Sequence, residues 1–160
     1  MLHDLLLLLL LGWCNFLPIL GRWALKDRFA WPVDLGLKWF DKRPVFGPHK
    51  TWRGLTLAVA GTTAASAITP FGPILGAKLA GLSMIGDLIA SFIKRRLGLR
   101  SGQMALGLDQ GMESFLPLFL LRDEIAVEYY EILILVILFA AGELIISPIL
   151  YKVRIRRNPH

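Results

Sequence analysis

The chain has 160 residues, of which 55% are hydrophobic, and a formal net charge of +6. Its apolar residues lie in blocks close to bilayer length, with a mean hydropathy of +0.57, which argues against a soluble domain. The basic residues flank these blocks without an aromatic stacking platform, so we expect no nucleic-acid partner and assign them to anionic headgroups and an anionic ligand. Cys14 is the only cysteine, which excludes a disulfide framework and a thiolate metal site.

Five apolar segments predict an all-α polytopic membrane protein with a single domain over residues 1–160. The predicted spans cover residues 5–25, 55–69, 74–97, 103–121 and 129–151. We expect the first to be a retained helix rather than a secretory signal, because no Lys or Arg precedes it and no convincing cleavage site follows. The fourth is the least regular, since only 115–121 is continuously apolar.

A basic loop at residues 26–53 separates the first two spans, and tryptophans in and beside it predict a segment lying on the membrane surface. The loop ends with a Gly-Pro turn, after which Lys50 and Arg53 lie at the N-terminus of the next helix. Cations there oppose the helix macrodipole, and an anion bound between them and free backbone amides would reverse that penalty. Ordinary positive-inside charge is the alternative interpretation.

The distribution of Lys and Arg predicts the topology. Of 18 such residues, seven lie in the loop at 26–53, four at 94–100 and four in a basic tail at 152–157. Because basic residues are retained on the cytoplasmic side, this pattern predicts five spans with the N-terminus outside and the C-terminus in the cytoplasm. It also gathers on the cytoplasmic side the charged residues Lys50, Arg53, Asp87, Lys94–Arg96 and Asp109.

The third predicted span ends in an acid followed by three cations. Asp87, Ser91 and Lys94 share one helix face. A carboxylate within a span costs about 2.5–3.5 kcal/mol, so we expect Asp87 to have a positive partner, either Lys94 or a metal ion. A structural ion pair beside a cytoplasmic basic cap is the alternative.

Two further acids, Asp109 and Glu113, are four residues apart on the fourth predicted span and repel unless a cation lies between them. Together with Asp87 they predict a Mg²⁺ site for a phosphorylated substrate, because Mg²⁺ binds carboxylates together with phosphate oxygens. A small transporter or channel subunit for an anionic solute is the alternative. Internal inverted repeats would favour a transporter, and the sequence shows none.

The pattern Gly86-Asp87-x-x-x-Ser91-x-x-Lys94-Arg95, with Gly102 and Asp109 after it, resembles the signature of the CTP-dependent phosphatidate cytidylyltransferases. The chain is more similar to their short archaeal relatives, the CDP-archaeol synthases. Two other elements carry that resemblance, Pro32-Val33-Asp34-Leu35-Gly36 and Gly47-Pro48-His49-Lys50-Thr51-Trp52-Arg53-Gly54. The pattern of CDP-alcohol phosphotransferases is absent.

The sequence departs from the family pattern after Asp109. The family usually has a second Asp three residues later, whereas this chain has Met112 there and Glu113 next. Whether Glu113 replaces that ligand is left open by the sequence.

The resemblance implies a multi-pass cell-membrane enzyme whose site faces the cytoplasm. It implies CMP transfer from CTP to the isoprenoid ether-lipid phosphate 2,3-bis-O-(geranylgeranyl)-sn-glycerol 1-phosphate, giving CDP-archaeol and pyrophosphate. With Mg²⁺ as cofactor, the implied metal ligands are Asp87, Asp109 and Glu113, and the implied catalytic residues are Asp87, Lys94 and Asp109. The implied phosphate contacts are Lys50, Arg53, Ser91, Arg95 and Arg96.

Overall fold

The computed structural model describes residues 2–103, 105 and 107–152, so the basic tail predicted at 152–157 lies outside the described residues except for Lys152. The described chain forms five helices: α1 (Leu2–Leu25), α2 (Trp52–Ser66), α3 (Gly72–Arg96), α4 (Leu108–Leu120) and α5 (Tyr129–Lys152). No strand occurs in this part of the chain, which has two isolated β-bridges in the loop before α2. The prediction of an all-helical fold is confirmed.

Three helices among the described residues, α1, α3 and α5, are long and apolar enough to cross a membrane. The other two are shorter: α2 has 15 residues and α4 has 13. At about 1.5 Å per residue they rise roughly 20 Å, against about 30 Å of hydrocarbon. Five helices are therefore present, whereas five complete spans stay a prediction.

Both short helices begin where a local feature of the backbone sets their first turn. The hydroxyl oxygen of Thr51 accepts a hydrogen bond from the amide of Gly54 at 3.2 Å, which caps α2 and starts it at Trp52 rather than at residue 55. Helix α4 begins at Leu108 rather than at residue 103, because Gly102 and Gly107 have φ angles of +84° and +81° that a right-handed helix does not allow.

Helix α3 lies at the centre of the bundle, packed between α2 and α4, with α1 against α2 and α5 against α4. The apolar core joins α1, α3, α4 and α5, with Leu11, Leu79 and Leu118 fully buried or nearly so. The contact between α3 and α4 is very close. A Cβ atom at Gly86 would lie 2.1 Å from the carbonyl oxygen of Met112, so the two backbones touch at this point.

Helix α5 presents an apolar face outward. Leu133, Ile137 and Ile145 are 63%, 58% and 65% exposed, on a helix whose most apolar window is only 22% buried. A soluble surface of this composition would aggregate, whereas lipid tails match it. The outward face of α5 therefore indicates contact with lipid, as expected for an integral membrane protein.

The connections between helices lie at two opposite ends of the bundle. At one end, which we call the basic end (residues 26–51 and 94–103), the guanidinium of Arg43 donates to the carbonyl oxygen of Arg96 at 2.7 Å. At the other end, the Lys78 ammonium contacts Glu124 at 2.7 Å, joining the start of α3 to the turn between α4 and α5. The loop that precedes α2 thus folds against the C-terminal end of α3.

Candidate functional site

A cavity of about 300 Å³ lies at the basic end and receives side chains from all five helices. Its lining combines acids with a similar number of cations. The acids are Asp87, Asp109, Glu113 and Glu143, and the cations are Arg22, Lys50, Arg53, Lys94 and Arg95. Such a lining suits a ligand that carries several negative charges together with the cations that accompany them.

The carboxylate of Asp87 is held by Lys50 rather than by Lys94. The Lys50 Nζ lies 2.5 and 2.6 Å from the two carboxylate oxygens of Asp87, which is 8% exposed. Of the two partners expected from the sequence, Lys94 is therefore wrong, because the loop before α2 brings Lys50 over that face of α3. Burial by itself lowers the pKa of Lys50, but Asp87 and Glu113 outweigh it, so this pKa lies above its ordinary value.

Lys94 instead pairs with Asp109. Its Nζ lies 2.6 Å from one carboxylate oxygen and 2.8 Å from the other, and both side chains are nearly buried. The Lys94 ammonium also donates to the carbonyl oxygen of Gln103 at 3.2 Å. The amide of Ala105 donates to Asp109 at 3.0 Å, so the pair is fixed from both sides.

Glu113 reaches the same cavity from α4, and its carboxyl group interacts with that of Asp87. The close contact between α3 and α4 at Gly86 makes this meeting possible, because it brings adjacent residues of the two helices together. Ser91, one turn below Asp87 on α3, is 2% exposed and also lines the cavity. The structure thus brings Asp87, Ser91 and Glu113 to one wall.

The three arginines expected to contact phosphate have different surroundings. Arg95 lines the cavity, is 5% exposed and donates to the carbonyl oxygen of Arg100 at 3.0 Å. Arg53 also lines the cavity, but its guanidinium donates to the carbonyl oxygens of Lys26 and Arg28 and so fastens the loop to α2.

Arg96, which was expected among the phosphate contacts, faces the loop before α2 rather than the cavity. Its guanidinium contacts Asp41 at 2.7 Å and donates to the carbonyl oxygen of Pro44 at 2.6 Å, and it is not part of the cavity lining. The reason is helical geometry: consecutive residues point about 100° apart, so Arg96 faces the loop when Lys94 and Arg95 face the cavity.

Two contributions to the cavity were not assigned from the sequence. Glu143 of α5 lines it, and the available signal was a carboxylate within an apolar span. At the rim, the Arg22 guanidinium of α1 lies 2.6 Å from the His49 ring. No spacing pattern links residues 22 and 49, so only the folded loop reveals that contact.

Asp34 is not among the residues that line the cavity. It lies in the first of the two loop elements that carry the family resemblance. It is 5% exposed, and its carboxylate accepts hydrogen bonds from the amides of Phe46 at 2.9 Å, Gly47 at 2.8 Å and Gly36 at 3.1 Å. Burial raises the pKa of Asp34, but these amides outweigh it, so the pKa lies below its ordinary value. Asp34 is therefore an anion that organises the loop.

The donor chemistry of the cavity fits a magnesium ion, because Asp87, Asp109 and Glu113 all line it. Among the described residues, no group of three or more His, Cys, Asp or Glu side chains is arranged to hold a metal ion. The Asp109 carboxylate pairs with Lys94 and the Asp87 carboxylate pairs with Lys50, so a metal ion at either acid would share the carboxylate with a lysine. Mg²⁺ commonly takes one or two carboxylates and completes its shell with phosphate oxygens and water, and Asp87 with Glu113 provides such a pair.

Comparison with known proteins places these features in a family context. Residues 27–160 match the family model described as CarS-like CDP-archaeol synthase. The CDP-archaeol synthase of Sulfurisphaera tokodaii is 33% identical over 135 residues, which cover 80% of this chain and 81% of that protein. That of Pyrococcus furiosus is 44% identical over 89 residues, covering 49% of this chain and 53% of that protein.

A solved structure of an intramembrane enzyme for archaeal membrane lipids biosynthesis has a similar fold. It superposes with a TM-score of 0.70 and covers 87% of this chain and 91% of that one, at 23% sequence identity. The likeness is one of fold, extending over nearly the whole of both chains.

Proposed function

The chain belongs to the CDP-archaeol synthase family, and from that premise we propose that it transfers CMP from CTP to 2,3-bis-O-(geranylgeranyl)-sn-glycerol 1-phosphate. The products are CDP-archaeol and pyrophosphate, so the enzyme is a CTP-dependent nucleotidyltransferase of archaeal membrane lipid synthesis. The single observation that carries the proposal is the charged cavity, where Lys50 and Lys94 lie against Asp87 and Asp109 at the end of a membrane helix.

The two substrates meet at the membrane surface. At about 0.8 kcal/mol per buried CH₂, two C20 chains keep the lipid phosphate in the bilayer. CTP is polar and stays in the cytoplasm. The position of the cavity at the basic end supports a site at the cytoplasmic interface, with the N-terminus outside, the C-terminus in the cytoplasm and all five helices crossing the membrane.

The reaction is an in-line displacement at the α-phosphorus of CTP. An oxygen of the lipid phosphate forms the new P–O bond, and the bond to the bridging oxygen of the β-phosphate breaks, so that pyrophosphate leaves with the electron pair. A phosphate monoester has its second pKa near about 6 and is already largely ionised at neutral pH. The attacking oxygen therefore needs no general base, and the acids of the cavity act as binding and positioning groups.

The cations of the cavity stabilise the phosphate charge. Lys94 and Arg95 contact the transferring phosphoryl group or the leaving pyrophosphate, and Lys50 contacts a further phosphate. Asp109 positions Lys94 through the contact at 2.6 Å. Asp87 with Glu113 would hold a Mg²⁺ ion, whose positive charge would offset that of the phosphates. Arg53 contributes mainly by fastening the loop that carries Lys50.

The test is turnover by purified protein in detergent. We expect pyrophosphate and the CDP-lipid, identified by mass spectrometry, only when CTP, the lipid phosphate and Mg²⁺ are all present. Asp87→Asn should nearly abolish product, whereas Glu124→Gln, which removes an exposed acid far from the cavity, should leave it unchanged.

The alternative, a small transporter or channel subunit for an anionic solute, predicts the opposite pattern. Detergent removes the two compartments, so a transporter gives no chemical turnover there. Solute flux into liposomes without any lipid product would refute the proposed enzyme.

A further inference from the structure

The loop element Pro32–Gly36 carries no assigned role, although its acid has the environment of an organising group. Asp34 is 5% exposed and has no lysine or arginine among its hydrogen-bond partners; backbone amides hold its carboxylate instead. Two of these amides, those of Phe46 and Gly47, begin the turn that leads to Lys50. A carboxylate that accepts several amide hydrogen bonds fixes the backbone that donates them.

A short series of backbone contacts continues from this turn to Lys50. Gly47 has a φ of +97°, which reverses the chain, and its carbonyl oxygen accepts from the Lys50 amide at 3.2 Å. The Lys50 carbonyl oxygen then accepts from the amide of Val33 at 2.8 Å, next to Asp34 itself. Lys50 is therefore held on both sides of its Cα atom by groups that Asp34 anchors.

The turn also forms part of the cavity wall. A Cβ atom at Gly47 would lie 2.8 Å from the Ser101 hydroxyl oxygen and 3.9 Å from Cδ of Arg95, so the turn packs directly on two lining residues. A small displacement of this turn would move Lys50 away from Asp87, whose carboxylate its ammonium contacts at 2.5 Å.

We propose that Asp34 is a positioning residue of the proposed cytidylyltransferase site, acting through the turn at residues 46–50 to hold the Lys50 ammonium where it meets Asp87 and the substrate phosphates. Asp34 is not among the residues that line the cavity, and backbone amides hold its carboxylate, so it acts through Lys50. The role of Lys50 on phosphate rests on the proposed function, whereas the placement of Lys50 by Asp34 is a statement about the fold and is measurable without substrate.

The first measurement compares Asp34→Ala and Asp34→Asn with Asp27→Asn in full-length protein. Asp27 is an exposed acid of the same loop and gives the matched control. Hydrogen bonds to a charged acceptor correspond to about 10- to 100-fold in an equilibrium, so amide exchange at Phe46 and Gly47 should rise by that factor in Asp34→Ala and less in Asp34→Asn. Exchange in α3 and α5 should not change.

The second measurement reads the position of Lys50 directly. Acylation of Lys50 by a water-soluble amine-reactive reagent, quantified by peptide mass spectrometry, should be faster in both Asp34 variants than in wild type or Asp27→Asn. Unchanged acylation and unchanged exchange at residues 46–50 would overturn the inference, whichever variant remains folded.

The third measurement is turnover with CTP and the lipid phosphate. Asp34→Ala should lower turnover by at least about tenfold, but it should add nothing in a Lys50→Ala background, because the two residues act as one unit. Independent, multiplying losses would overturn the inference and leave the proposed function standing. A wild-type protein without any turnover would refute the proposed function, while exchange and acylation would still decide the role of Asp34.

Discussion

Lys50 and Lys94 each contact a carboxylate at the cavity wall, and both pairs are largely shielded from water. Removing one partner of a buried pair leaves an uncompensated charge and typically costs about 3–5 kcal/mol. The pair between Lys78 and Glu124 has similar geometry, at 2.7 Å, but both side chains are about half exposed. Exposed pairs contribute about 0–1 kcal/mol. The ion pairs of these lysines are therefore expected to differ in their contribution to stability because of burial, not because of distance.

Lys94→Ala and Lys78→Ala test this difference at the level of single residues. We expect Lys94→Ala to lower the thermal unfolding midpoint in detergent and to reduce turnover by about 10²–10³, because a preorganised contact to developing charge is lost. Lys78→Ala should leave both quantities near those of wild type. Equal effects of the two substitutions would mean that Lys94 acts only as one more cation of the basic end.

At the level of helices, the site depends on how closely α3 approaches α4. Gly86 lacks the Cβ atom that would collide with the Met112 carbonyl, and the next residues on the two helices are Asp87 and Glu113. Separating the helices would therefore move these two acids apart and would also disturb the pair of Lys94 with Asp109, which joins the same two helices.

Gly86→Ala tests the helix contact, with Gly81→Ala on the same helix as its control. A Cβ atom at Gly81 meets nothing within 4 Å. We expect Gly81→Ala to be neutral or stabilising by up to about 1 kcal/mol through helix propensity. Gly86→Ala should destabilise by about 1–3 kcal/mol, because the clash is with backbone, and should lower turnover. Similar unfolding midpoints and activities for both variants would contradict the close contact.

The sequence predicts five helices from apolar segments between charged ones, although only residues 115–121 of the fourth are continuously apolar. It does not predict their first residues: α2 starts where Thr51 caps it, and α4 starts after the reversal at Gly107. These are properties of side-chain hydrogen bonding and positive φ, which hydropathy does not encode.

The same distinction applies to the site. Asp87, Asp109 and Glu113 were predicted because a charge within a span requires a partner. Glu143 and Arg22, which also line the cavity, were not. The cation that pairs with Asp87 was not predicted, because Lys50 belongs to a loop without periodicity. The path of this loop is set by the hydrogen bonds of Asp34 and Arg53. Helical periodicity favoured Lys94, which lies on the same helix as Asp87, whereas in the structure the folded loop brings Lys50 to Asp87.

For the molecule as a whole, the helix connections divide charge unequally between two ends. The basic end combines the loop at 26–51 with residues 94–103, joined by the contact between Arg43 and Arg96. The opposite end holds the turns at 67–71 and 121–128, with Lys78 paired to Glu124. The proposal that α2 and α4 both cross the membrane therefore means that these two ends of the bundle lie on opposite sides of the membrane.

Single cysteines on a Cys14→Ala background test that arrangement in sealed cells with a membrane-impermeant thiol reagent. Cys14 is fully buried and the only cysteine of the chain, so its removal leaves no competing thiol. Asp123→Cys should be labelled from outside, since the Asp123 side chain is 87% exposed in the turn before α5. Lys42→Cys, in the exposed part of the basic loop, should be labelled only after the cells are permeabilised. Labelling of both positions in sealed cells would show that α2 or α4 fails to cross, and labelling of Lys42→Cys alone would reverse the orientation and place the cavity outside the cell, away from CTP.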